Sequence, residues 1–207
     1  MIETIKTLNA VVEKYSSREY LETIMAAKEE YFELAGKISD EDVDFESRMN
    51  GFNYWYISQR ALNSGKTFLE EYLSSHELDE KTTESLKNIN HSLFEYRGLS
   101  FSKKHVLFDI LHDKKITIPK DDFNFQLIKD DIFIARNLEY NGVYNMLDDV
   151  SVLPVEIKST LVKESKKVRK LQDKKRDLQF LMTIEKLKTK WRRYGHIEAK
   201  KIFQFNF

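Results

Sequence analysis

The chain has 207 residues, with 34 Lys and Arg, 34 Asp and Glu, five His and no Cys. The lack of Cys excludes disulfides, thiolate zinc sites, iron–sulfur clusters and cysteine nucleophiles, and no window approaches the ~18 apolar residues that a membrane-spanning helix needs. The neutral total hides a split: residues 1–155 carry 18 Lys and Arg against 28 Asp and Glu, a net of −10, whereas residues 156–207 carry 16 against 6, a net of +10.

Residues 1–92 read as a helical region. Ile5, Leu8, Val11, Val12 and Tyr15 recur at helical spacing, and Tyr20, Ile24, Ala27, Tyr31, Phe32 and Leu34 continue it after Ser16 and Ser17, which can cap a new helix. Gly36 is a C-terminal stop. The acidic run 39–44 suits the positive dipole end of the next helix, through Phe45, Met49, Phe52, Trp55, Tyr56 and Arg60. Thr67 with Glu70 three residues later spells a capping box, and residues 79–89 form the last helix of the region.

Residues 93–150 change period and predict a small antiparallel β unit, either barrel-like or an open meander. The strand candidates are 93–96, 105–111, 115–119, 131–138 and 143–147, with Asn141-Gly142 as a hairpin turn. Residues 151–207 predict a long basic helix and a short terminal strand. Pro154 suits the first turn. Ile157, Leu161, Val168, Leu171, Leu178, Leu181, Ile184, Leu187, Trp191 and Tyr194 mark one apolar stripe. About 40 helical residues would span roughly 60 Å, so this helix must break, project or pair. The alternation of residues 202–207 suggests a half-buried strand. The whole is an α+β protein.

Phe52, Trp55 and Tyr56, followed by Gly65, Thr67, Leu69, Tyr72 and Leu73, form an aromatic-x-x-Trp-aromatic helix, a Gly-x-Thr turn and a Leu-x-x-aromatic-Leu helix. With the strands around Phe94, Asp109 and Arg136, this pattern resembles uncharacterised bacterial helix-plus-small-β-barrel proteins often found with SEC-C motifs. The likeness covers about residues 52–136. An Asp usual shortly after the Trp is Gln59 here, and the cysteine-rich SEC-C signature itself is absent. The resemblance implies an architecture and a bacterial origin rather than a reaction.

Gly65-Lys66-Thr67 lacks the Gly of a phosphate loop, since Arg60 stands there, so it reads as a turn and cap. His76, His91, His105, His112 and His196 show no ligand spacing and read as unrelated histidines. The acidic pairs at 121–122, 130–131 and 148–149 fit turns better than a metal site or a hydrolase. Arg136 with Asp109 suggests a buried structural pair. The aromatic group around Trp55 reads as core joining helices to sheet, with a ligand pocket as the alternative.

The basic run carries the functional expectation. Lys166, Lys167, Arg169, Lys170, Lys174, Lys175, Arg176, Arg192 and Arg193 are the expected contacts for a partner or a nucleic acid. The expected function is a non-enzymatic interaction or regulatory module that docks a protein partner or a second copy through this helix. Its alternative is a nucleic-acid-binding protein with these cations on phosphates. No catalytic residue, cofactor or metal is expected, and no membrane role, because Lys175 and Glu164 interrupt the stripe. The N-terminus lacks a basic region followed by an apolar stretch, so no secretory signal is read and a cytoplasmic protein is expected.

Overall fold

The computed structural model describes residues 2–205 and shows an α+β fold. Five helices come first: α1 (Ile2–Tyr15), α2 (Leu21–Ala35), α3 (Phe45–Ser58), α4 (Phe68–Ser75) and α5 (Glu80–Lys87). Their ends follow local chemistry. Gly36 ends α2 at φ +88°, a left-handed value that disfavours any side chain. Thr67 Oγ1 accepts from Glu70 N at 3.2 Å while Glu70 Oε2 accepts from Thr67 N at 2.7 Å, closing the capping box of α4. Asp79 caps α5 through Thr82 N at 2.9 Å. Two expectations shift. Ser17 makes no side-chain cap, and a 3-10 turn over Arg18–Tyr20 leads into α2. The acidic run is a turn rather than helix, because the Asp44 side chain pairs with cations further along the chain instead of capping α3.

The aromatic group is core. Tyr31 lies 5.2 Å from Trp55, Phe52 lies 5.8 Å from Tyr56, and Tyr15 stacks on Phe68 at 4.2 Å. All six rings are buried, so burial and ring contact hold α1 to α4 together.

The sheet is antiparallel throughout. Its strands are β1 (Asn90–Leu99), β2 (His105–Asp109), β3 (Lys114–Ile118), β4 (Ile132–Tyr140), β5 (Val143–Met146) and β6 (Ser151–Leu153). The order is β3-β2-β1-β4, and the far edge of β4 carries β5 along one half and β6 along the other. The strand region therefore starts at residue 90, and β6, only three residues before Pro154, carried no readable period. Asn141 and Gly142 both take positive φ, 53° and 74°, as a tight hairpin between right-twisted strands requires. The sheet curls into a half-barrel: Lys114 of β3 reaches Glu139 of β4 at 3.7 Å and sits 5.1 Å over the Tyr144 ring of β5. One face of the sheet packs on Phe94, Phe133, Ile116 and Phe123. Leu93, Ile132 and Ile134 on the other face meet the C-terminal helices.

The continuous C-terminal rod is not formed. After a 3-10 turn (Val155–Ile157), α6 (Lys158–Arg169) and α7 (Lys174–Arg193) are separate helices, and α8 (Ala199–Ile202) follows. Gln172 adopts φ 51°, and Asp173 caps α7 by accepting from Lys175 N at 2.9 Å. The break lets both helices lay apolar faces on a body shorter than the rod would have been. Leu161, Val168, Leu181 and Ile184 are buried in one cluster with Leu93, Ile110, Ile132 and Ile134. Leu171, placed on the stripe by spacing, falls in the turn and is 60 % exposed. Residues 202–205 form no strand: Ile202 closes α8, and Phe205 lies 5.5 Å from Phe180. Asn206 and Phe207, the rest of that expected strand, lie outside the described residues. Among the described residues no helix is long and apolar enough to cross a membrane.

Candidate functional site

The turn between α6 and α7 gathers seven of the nine expected contact residues. Lys166, Lys167, Arg169 and Lys170 close α6, and Lys174, Lys175 and Arg176 open α7. Lys167 pairs with Glu164 at 2.9 Å, Arg169 with Asp113 at 3.4 Å, and Arg176 donates to Gln179 at 3.0 Å. Lys166, Lys170, Lys174 and Lys175 are exposed, and among the described residues none of them has a carboxylate at ion-pair distance. Cations at the end of α6 complement its dipole, but those at the start of α7 oppose it. Helix stability therefore does not explain Lys174 and Lys175.

Arg192 and Arg193 stand apart, about 27 Å along α7. Arg192 pairs with Asp44, and Arg193 donates to the Lys37 carbonyl at 2.7 Å. Together with Lys188 and Asp44 at 2.7 Å, and Arg48 and Glu185 at 3.8 Å, they fasten the basic segment to the acidic body.

A cleft of about 220 Å³ opens beside the corner, and Lys174 lines it. Gln59 comes from just beyond the end of α3, residues 87–91 from the α5–β1 junction, His112 from the β2–β3 turn, and Asp177, Leu178 and Leu181 from α7. A larger cavity of about 400 Å³, between α5 and the β4–β5 hairpin, holds no histidine and none of the nine cations.

Asp109 organises one wall of the cleft. It is 1 % exposed and accepts from Ser92 Oγ at 2.5 Å, from the His112 main chain at 2.9 Å and from Asn90 Nδ2 at 3.1 Å, with His112 Nδ1 at 3.0 Å. Asp109 thus pairs with His112, not with Arg136 as its strand position suggested; Arg136 pairs with Asp149. Ser92, Asp109 and His112 do not make a nucleophilic triad. Ser92 is fully buried, and it meets the same ring nitrogen as Asp109, whereas a triad uses opposite nitrogens.

The other imidazole nitrogen, His112 Nε2, lies 3.9 Å from Asp177. His91, opposite Arg136 in the sheet, keeps Nδ1 shut away from solvent with no hydrogen bond among the described residues. A buried polar atom left so costs about 1–3 kcal/mol. Burial, with the charges of Arg136 and His112, holds His91 well below its ordinary range, so it is neutral. Burial also raises the Asp177 carboxyl. Sequence spacing could not reveal this cleft, since its histidines are 21 positions apart and meet only because β1 and β2 pair. Among the described residues no group of three or more His, Asp or Glu could hold a metal ion.

The hydrogen bond to Asp109 raises the His112 imidazole; burial and Arg169 oppose this, and Asp177 supports it. A raised folded value means that His112 stabilises fully below about 6.5 and loses that contribution as pH rises through the raised value. Burial pushes the Asp109 carboxyl up, but His112 and Ser92 outweigh it, so its contribution fades only in acid. His91 acts oppositely, so the difference between wild type and His112→Gln isolates the pair. That difference in urea midpoint should be larger at pH 5.5 than at pH 8.5. A constant difference would show that the pairing does not depend on the His112 charge.

No curated protein and no solved structure matches the chain. The profile of the family of unknown function DUF7986 matches residues 3–190, from α1 through nearly all of α7, and the chain belongs to that family.

Proposed function

We propose that this protein is a non-enzymatic, cytoplasmic binding module, that its recognition surface is the α6–α7 corner, and that its partner is a nucleic-acid strand. The observation that carries this reading is the set of four exposed lysines without anionic partners, two of them placed against a helix dipole. Lysines so placed are free to exchange counterions for phosphates. Docking of a protein partner or a second copy on the apolar stripe has less surface to use, because Leu161, Val168, Leu181 and Ile184 are already buried against the chain's own sheet.

The test is fluorescence anisotropy with a labelled single-stranded oligonucleotide between about 50 and 200 mM salt. Affinity should fall steeply with salt, each phosphate-bound lysine adding about 0.7 to the slope of log K against log salt. Replacing Lys166, Lys170, Lys174 and Lys175 together by Glu should weaken binding at least tenfold and flatten the slope. Lys200→Glu, on α8, should leave both unchanged. Absence of binding by the wild type at the lowest salt would reject the proposal.

A further inference from the structure

The corner supplies charge but nothing that distinguishes one part of a strand from another. The cleft beside it has a different composition. Its rim carries Lys87 and Lys174, its apolar lining is Ile89, Leu178 and Leu181, and its polar side chains include Gln59, Asn88, Asn90, His112 and Asp177. A phosphate suits the rim but not the floor, where the Asp177 carboxylate would repel it. The occupant that fits both is flat, neutral and polar at one edge, with an anionic tail.

Resting on the nucleic-acid reading above, we infer that the cleft takes a single unstacked nucleobase bearing an exocyclic amine, while its flanking phosphates lie on Lys174 and the corner. The donor and acceptor set matches that edge. Asp177 accepts from the amine, as carboxylates do from the cytosine amine. Gln59 uses Oε1 to accept from Arg136 at 2.5 Å, and its Nε2 makes no hydrogen bond among the described residues. Ile89, from the α5–β1 junction, and Leu178, from α7, offer apolar surface to the faces of the base, and reading an extruded base by its edge between apolar side chains is the general mode for unpaired strands. The free amide of Gln59 is then a group awaiting the ligand rather than a defect.

The experiment compares oligo-dC with an abasic strand of equal length and phosphate count at low salt, using the full chain. Oligo-dC should bind at least tenfold tighter. Leu178→Trp, which fills the cleft, should abolish that advantage while leaving abasic affinity unchanged, and Asp177→Asn should reduce it. Oligo-dC alone should shift the His91 and His112 imidazole resonances of the wild type, a readout that stands even if either variant fails to fold. Equal binding of the two strands, or an unchanged advantage in a folded Leu178→Trp variant, overturns the nucleobase inference and leaves the corner reading intact. If neither strand binds, both fall.

Discussion

Asp149→Ala is expected to cost about 3–5 kcal/mol, the usual effect of stripping a buried charge of its partner. Arg136 is 2 % exposed, and Asp149 is the carboxylate that meets it, with Oδ2 2.5 Å from the guanidinium and Oδ1 2.9 Å from the main-chain nitrogen. Gly51 of α3 backs the pair: a Cβ there would come 3.2 Å from the Tyr31 hydroxyl and 3.9 Å from the guanidinium. Removing the carboxylate leaves a buried cation with no other carboxylate at ion-pair distance among the described residues. The double change Arg136→Met with Asp149→Leu removes both charges and should recover most of the loss, because an apolar pair of similar volume carries no desolvation penalty. Urea midpoints of the two variants decide. A cost below about 1 kcal/mol for Asp149→Ala would mean that the cation is solvated after all. Arg136 also holds Gln59, so a folded Asp149→Ala variant should lose discrimination between oligo-dC and the abasic strand as well as stability.

Much of the fold was legible because its signals are local. Gly36, the Thr67–Glu70 box and Asn141-Gly142 each act on their own backbone within four residues, and each stands where the sequence placed it. What was not legible depends on distant partners. Spacing alone runs α6 into α7, since nothing between Val155 and Tyr194 is Gly or Pro. The break at Gln172 lets α6 and the long C-terminal helix α7 both lie against the sheet, as a single rod could not. The Arg136 and Asp109 assignment failed for the same reason: both lie on strands, but Asp149 arrives from the loop between β5 and β6 and takes the arginine. The basic segment was evident as composition, while its division into paired cations at one end of α7 and unpaired ones at the other required the acidic turn around Asp44 to be located.

That acidic turn yields the second large effect. Lys188 is 1 % exposed, and its ammonium lies 2.7 Å from Asp44 Oδ2 and 2.7 Å from Ser151 Oγ. Burial alone would lift the Asp44 carboxyl, but Lys188, Arg192 and Arg48 outweigh it, so Asp44 sits below its ordinary range and stabilises the fold down into acid. Burial holds the Lys188 ammonium below its ordinary range, opposed by Glu185 and Asp44. Asp44→Ala should therefore cost about 3–5 kcal/mol at neutral pH. The deficit should shrink as pH rises toward 10, because a folded-state lysine with a depressed value sheds its proton before the unfolded chain does. Lys188→Met in the Asp44→Ala background should restore most of the stability and remove that pH dependence. Arg192→Ala, on the same carboxylate but 39 % exposed, should cost no more than about 1 kcal/mol. A deficit independent of pH would place the damage in the 39–44 turn rather than in the buried ammonium. Since this junction lies at the opposite end of α7 from Lys174, folded variants here should keep their affinity for a strand, whereas reversal of the corner lysines should remove affinity and leave the urea midpoint nearly unmoved.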